Sequence, residues 1–230
     1  MKLSFYKRTT GLLIATLLIN HFSLSAQWIS NDVNITMGNI RKFLIDTVNS
    51  KLYLGGNYMK VSNNVFGGFG YYEATSFKLL NNIVVDADIF SSTFYKNKII
   101  VGGFFLSINE DSCIKCVAQW DSNEWKPLGA GLNSTVWNLK VIDDTLFAMG
   151  SYFLSGTSYL SGIAKWDGNN WINVYNFPQY DENIVNDICK YKNELYVGGN
   201  FHSYDTNNIR DIAKWNGQYW ESVGGGIQGD

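Results

Sequence analysis

The feature that most constrains this chain is a pair of phrases that returns at a nearly constant interval. LFAMGSY (Leu146 to Tyr152) followed by IAKWDGNNW (Ile163 to Trp171) comes back almost unchanged as LYVGGNF (Leu195 to Phe201) and IAKWNGQYW (Ile212 to Trp220). It is clear again in IIVGGFF (Ile99 to Phe105) and VAQWDSNEW (Val117 to Trp125). A worn copy is LYLGGNY (Leu52 to Tyr58), with Tyr72 and Phe77 standing for the two tryptophans. Taking Gly56, Gly103, Gly150 and Gly199 as phase markers, the successive intervals are 47, 47 and 49 residues. An aromatic lies 16 or 17 residues after each marker, at Tyr72, Trp120, Trp166 and Trp215, and a second lies 5 further on, at Phe77, Trp125, Trp171 and Trp220. Six of the eight tryptophans occupy these positions, and Trp28 precedes Gly56 by 28 residues, the spacing of Trp171 to Gly199. Trp137 alone stands outside the pattern. Repetition at such a period makes each unit part of one assembly rather than a domain of its own.

Inside each unit the signals are for short strands. VWNLKVI (Val136 to Ile142), TLFAMGSYF (Thr145 to Phe153), GIAKW (Gly162 to Trp166) and WINVY (Trp171 to Tyr175) are rich in β-branched and aromatic residues and separated by Asp, Asn and Gly. Helical periodicity is absent after the first 26 residues. Asn49-Ser50, Asp143-Asp144 and Lys192-Asn193 read as tight polar hairpins. Asp167-Gly168-Asn169-Asn170 and Asn216-Gly217-Gln218-Tyr219 read as four-residue turns that set the paired aromatics opposite each other across two strands. The double glycine marks a close backbone approach or a bulge. Because Met149-Gly150 keeps only the second glycine, that second position is expected to matter more. Pro127, which lacks a ladder donor, places the fourth strand of each unit at an edge.

Four-stranded sheets repeated in this way, none able to bury both faces alone, call for an all-β fold in which the sheets stack radially as the blades of a β-propeller. The apolar-Gly-Gly element followed by spaced aromatics resembles the kelch or galactose-oxidase class of propeller blades. It resembles more closely the VGG-F…IAKWDG…W repeats of secreted bacterial propellers. The likeness covers residues 28 to 230 and implies blades over approximately 31–79, 80–128, 129–174 and 175–223. Trp28-Ile29-Ser30 is expected to be an additional N-terminal outer strand, and Gly224 to Gly229 repeats the link Gly129 to Asn133 that leads into a following blade. The sequence therefore reads as part of a longer ring, truncated at its C-terminus. The copper chemistry of galactose oxidase is not implied, because it requires a pair of imidazoles and His202 is the one histidine after residue 26.

Residues 1 to 26 read as a signal peptide: Lys2, Lys7 and Arg8 form a basic head, Leu12 to Ile19 an apolar middle, and Ser23 to Ala26 a small-residue cleavage site. Its removal leaves 15 Lys and Arg against 20 Asp and Glu, a net charge of −5. The expected location is secreted or cell-surface, with no membrane span after leader removal. No basic stripe recommends nucleic acid as a partner. Cys113 and Cys116 form a C-x-x-C without the second pair or histidines of a zinc site, and Cys189 stands apart, so no metal or cofactor is expected. No catalytic constellation is visible either.

What varies between units is the loops, and variable loops on a rigid scaffold are where binding resides. His202, Tyr204, Asp205 and Arg210 form the most polar of these and are the candidate binding residues. The function expected is a non-catalytic module that binds extracellular protein or glycan. A polysaccharide-acting lyase or hydrolase, or a structural spacer of a larger envelope protein, is the alternative.

Overall fold

The computed structural model describes residues 12–15, 26–29, 39–57, 59–61, 64–66, 68–73, 76–80, 85–151, 153–174, 177, 184–202 and 209–225. Over these residues the chain is all-β, with four antiparallel sheets of four strands and three two-stranded hairpins. Strands β1 (Leu12–Ala15) and β2 (Ala26–Ile29) pair with each other. The first sheet is β3 (Ile40–Asp46), β4 (Lys51–Gly56), β7 (Phe69–Glu73) and β8 (Ser76–Leu79), with the hairpin β5 (Met59–Val61) and β6 (Asn64–Phe66) between its second and third strands. The second is β9 (Asp88–Tyr95), β10 (Lys98–Phe104), β11 (Val117–Trp120) and β12 (Trp125–Pro127). The third is β13 (Val136–Ile142), β14 (Thr145–Gly150), β17 (Ile163–Trp166) and β18 (Trp171–Asn173), with the hairpin β15 (Phe153–Ser155) and β16 (Ser158–Leu160) inserted at the same point as in the first. The fourth is β19 (Ile184–Tyr191), β20 (Glu194–His202), β21 (Arg210–Trp215) and β22 (Trp220–Ser222).

The expected local devices are visible, with one exception in the first unit. Trp120 pairs with Trp125, Trp166 with Trp171, Trp215 with Trp220, and Tyr72 with Phe77. The ring centroids of these pairs are 5.2 to 5.7 Å apart. Such cross-strand aromatic pairs each contribute about 0.2–1 kcal/mol. The turn between them is tied by its first side chain: Asp167 Oδ1 accepts the amides of Asn169 and Asn170, and Asn216 Oδ1 those of Gln218 and Tyr219. The two-residue hairpins Lys96-Asn97, Asp143-Asp144 and Lys192-Asn193 have positive φ at both residues, the conformation that matches strand twist. The first unit departs from this expectation. Its first and second strands are joined by four residues, 47–50, in which Asp46 accepts the amides of Val48 and Asn49, and only Ser50 has positive φ among the non-glycines.

The double glycine proves to be both a bulge and a close approach. The first strand of each sheet shifts register beside the marker, between Ile40 and Lys42, Val136 and Asn138, and Val185 and Asp187, and in the second sheet the shift falls at Gly102/Gly103. A Cβ on Gly56, Gly103 or Gly199 would lie 2.0 to 2.1 Å from the carbonyl oxygen of Asn39, Asp88 or Ile184. No side chain fits there, which is why the second glycine persists where the first is replaced by Met149. Pro127 ends β12 at the sheet edge, as its missing donor requires.

The first strands β3, β9, β13 and β19 pack against one another in succession. Three core clusters fill the joints between consecutive sheets: Tyr53, Phe69 and Ile89 between the first and second, Ile100, Leu139 and Trp171 between the second and third, and Phe147, Ile188 and Trp220 between the third and fourth. The second tryptophan of a unit fastens its sheet to the previous one. Trp171 Nε1–H donates to the Leu128 carbonyl at 3.1 Å and Trp220 Nε1–H to that of Val174 at 3.3 Å. Among the described residues no core cluster joins the fourth sheet to the first.

Trp28 lies on a strand, β2, which pairs with β1 and, among the described residues, joins none of the four sheets.

Candidate binding site

Among the described residues, two of the concavities and one loop region gather polar side chains that could recognise a ligand. The first concavity is a cleft of about 500 Å³ between the first and second sheets, at the end that carries the tight turns. Its walls are Tyr53, Tyr71, Phe94 and Trp120, and its rim is Asp46, Asn49, Lys51, Asn97, Ser122 and Asn123. The Tyr53 ring lies 5.5 Å from Tyr71 and 6.2 Å from Phe94, and the Lys51 ammonium sits 4.6 Å over the Tyr71 ring. Such cation–ring contact fixes both groups at the cleft mouth.

The cleft stands where the first unit departs from the repeat. The last residue of the first strand is Asp46 there, where the second and third units carry Tyr95 and Ile142. Tyr95 is buried and Ile142 packs on a core cluster, so in those units the side chain fills the joint. Asp46 instead turns back into its own four-residue loop. Burial alone would raise its pKa, but the Asn49 side chain, the Asn49 and Val48 amides and the Lys51 charge outweigh that and hold the carboxyl below its ordinary value.

The second concavity is a groove of about 620 Å³ along the first strands of all four sheets, lined in part by Lys42, Ser92, Asn138, Lys140 and Asp187. At the bulge, the register places Arg41, Phe90, Trp137 and Asn186 at equivalent points of successive sheets. The Arg41 guanidinium lies 5.5 Å from the Phe90 ring centroid, and Phe90 and Trp137 are 4.7 Å apart. Trp137, the tryptophan outside the repeat, is thus an exposed aromatic of the bulge row. The next row is polar: Ser91 Oγ donates to Asn138 Oδ1 at 3.3 Å, Asn138 Nδ2 donates to Asp187 Oδ1 at 3.1 Å, and Lys140 pairs with Asp187 at 3.0 Å.

The loop region is where the sequence points to ligand contacts. His202 ends β20 and pairs in register with Arg210, at the start of β21, so these two are brought together. Tyr204 and Asp205 lie outside the described residues. The links between sheets meet the loops after the second strands at this end: Asp86 Oδ1 accepts the Leu106 amide at 2.9 Å, and Asn133 accepts the Leu154 amide. Cys113, Cys116 and Cys189 are all unbonded thiols. Burial pushes the Cys116 thiol up, and its Sγ–H donates to the Phe105 carbonyl, which makes it a packing residue. Among the described residues no group of three or more His, Cys, Asp or Glu could hold a metal ion, and no helix is long and apolar enough to cross a membrane.

The cleft residues were not among the sequence candidates. The available signal was the set of places where one unit departs from its repeat: Asp46 for an apolar residue, an extra two residues in the first turn, and Tyr71 where the other units carry Gln119, Lys165 and Lys214.

No family model matches the chain, and no curated protein matches it. Among solved structures it is similar to the computationally designed Ika8 protein, with 14% identity, a TM-score of 0.37, and 80% of this chain covered. The chain spans 60% of that protein's length.

Proposed function

We propose that the four sheets are blades of a β-propeller in an exported protein, and that this protein binds a neutral glycan, without turnover, in the cleft between the first and second sheets. Support for the architecture comes from the identical strand order of the four sheets, the succession of first strands along one groove, and the buried tryptophans that fasten each sheet to the one before. The reading of residues 1 to 26 as a leader supports export.

The observation that carries the binding proposal is the lining of the cleft: four aromatic rings with amide, hydroxyl and ammonium groups around them. Sugar rings present apolar C–H faces and a hydroxyl rim, which match aromatic walls and an amide rim respectively. The loops bearing His202 and Arg210 lie on the opposite end and serve in this reading as a second contact surface.

The test is a titration of the purified chain with a panel of neutral oligosaccharides, read by tryptophan fluorescence and calorimetry. Trp120 is expected to report binding, and Lys51→Ala and Asn123→Ala each to weaken it by about tenfold with thermal unfolding unchanged. Absence of binding across the panel sinks the glycan proposal. Release of shortened sugar would reassign the protein as a polysaccharide-acting enzyme. N-terminal sequencing of the exported product checks the leader and is expected to begin at Gln27.

A further inference from the structure

The joint between the first and second sheets is under-filled along its inner strands as well as at the cleft. Leu139 of the third sheet and Ile188 of the fourth each belong to the core cluster shared with the preceding sheet. By register their counterpart in the second sheet is Ser92, paired with Val101 as they are with Ala148 and Val197. Ser92 is 2% exposed, and its hydroxyl has no hydrogen-bond partner among the described residues. A buried hydroxyl left unpaired is costly, and this one stands in the wall of the groove that follows the first strands, where a bound molecule can pair with it. Asp46 and Ser92 thus both occupy this one joint at positions that larger apolar or aromatic side chains fill in the later ones.

A third hollow, of about 370 Å³, lies against the turn of the first unit and is lined there by Thr47 and Val48. It shares Asp46, Asn49, Phe94 and Asn97 with the cleft, and Ile45 with the groove. Along β9 the hollows follow one another: Ser92 and Thr93 line the groove, and Phe94 lines both the others. Ser92 to Tyr95 alone covers roughly 10 Å of strand, longer than one sugar ring.

We propose that these hollows form one binding track, running from the cleft round the first turn to Ser92, and that its ligand is an oligosaccharide several units long rather than a single terminal sugar. This rests on the glycan reading of the cleft and adds to it the length of the ligand and its far contact. The lining suits such a chain. Phe94 offers one aromatic wall to two neighbouring hollows, and the Asn97 amide offers a donor and an acceptor where they meet. Asp46 is spent on its own turn, accepting the Val48 and Asn49 amides and the Asn49 side chain, so the track is not given an acidic character there. At the far end a sugar hydroxyl completes the hydrogen bonding of Ser92.

The experiment is calorimetric titration of the full chain with the disaccharide, tetrasaccharide and hexasaccharide of a neutral polymer from the panel, for the parent, Ser92→Ala and Val48→Trp. The parent is expected to gain about tenfold in affinity from disaccharide to hexasaccharide. Both variants are expected to match the parent on the disaccharide and to lose most of that gain, Ser92→Ala by removing the far contact and Val48→Trp by blocking the hollow at the turn. The unfolding midpoint should be unchanged for Val48→Trp, whose site is 88% exposed, and unchanged or raised for Ser92→Ala, which removes an unpaired buried hydroxyl. If Ser92→Ala unfolds early, the Val48→Trp titration decides alone. A disaccharide that binds as tightly as the hexasaccharide, or a gain with length that survives both substitutions, overturns the track and leaves the cleft reading standing. Failure of every oligosaccharide to bind sinks the cleft reading and the track with it.

Discussion

Ile163 and Ile212 sit at the same point of the repeat, one residue before an Ala-Lys-Trp, and they live in different surroundings. Ile163 belongs to the core cluster between the third and fourth sheets and is fully buried, while Ile212, on the fourth sheet, is only partly buried and joins no core cluster among the described residues. The lesson is that the repeat specifies a sheet with two faces prepared for neighbours. Whether a face becomes core depends on what stands beside it. Interior joints and end faces are chemically alike and energetically unlike.

Four substitution or titration experiments, each comparing an interior position with its end counterpart in dilute solution, can break or sharpen this contrast. The largest effect is expected for Ile163→Ala, which empties a packed site and should cost about 2–5 kcal/mol in denaturant unfolding, against less than half of that for Ile212→Ala. Equal losses would mean that Ile212 is as well packed as its counterpart. Next comes the second glycine, where the clash is within a sheet rather than between sheets. Gly103→Ala and Gly199→Ala are therefore expected to be alike, each costing about 1–3 kcal/mol, because both new methyls meet a carbonyl oxygen of the adjoining strand at 2.0 to 2.1 Å. A harmless Gly199→Ala would show that the bulge in the last sheet yields.

The first glycine should separate interior from end. A methyl on Gly102 meets Val136 Cγ1 at 2.6 Å, so Gly102→Ala should lower the thermal midpoint clearly, by overpacking of the next sheet. Gly198→Ala has room and should be neutral or slightly stabilising, since alanine restricts the unfolded chain.

The smallest effect is in the aromatic turns. The Asn170 and Asn169 amides hold Asp167 below the ordinary carboxylate range, and the Lys126 side chain, aided by the Glu124 amide, does so for Asp121. A carboxyl whose folded pKa is lowered stabilises the fold above its unfolded pKa, and the contribution is lost as pH falls through the folded value. Hydrogen exchange is therefore expected to show the Asn169, Asn170 and Glu124 amides losing protection on acidification. The Gln218 and Tyr219 amides, held by Asn216, should not respond. A matching loss in the Asn216 turn would trace the effect to global unfolding instead.

Much of the fold was legible in the sequence because it rests on near neighbours in the chain. Alternating apolar residues, the paired aromatics five apart and turn residues that tolerate positive φ are read off directly, and they specify the four sheets and their strand order. The glycine argument also held, since Met149 showed which of the two positions is indispensable. The candidate site was less legible. His202 and Arg210 meet at a strand end, but the cleft of Tyr53, Tyr71, Phe94 and Trp120 draws on two sheets whose contributing residues lie up to 67 positions apart. Trp137 was visible only as an exception, because its ring partner Phe90 is a whole unit away in the chain.

By itself, then, the sequence determined the repeating unit: its strands, its turns, its aromatic pairs and its indispensable second glycine, all set by hydrogen bonding and steric limits over short stretches of chain. Only the tertiary structure decided which copies of a residue are core and which are surface, and that the joint beside Asp46 stands open while the later ones are filled. Burial is a property of the space around a side chain, and identical units acquire different surroundings according to their place in the row.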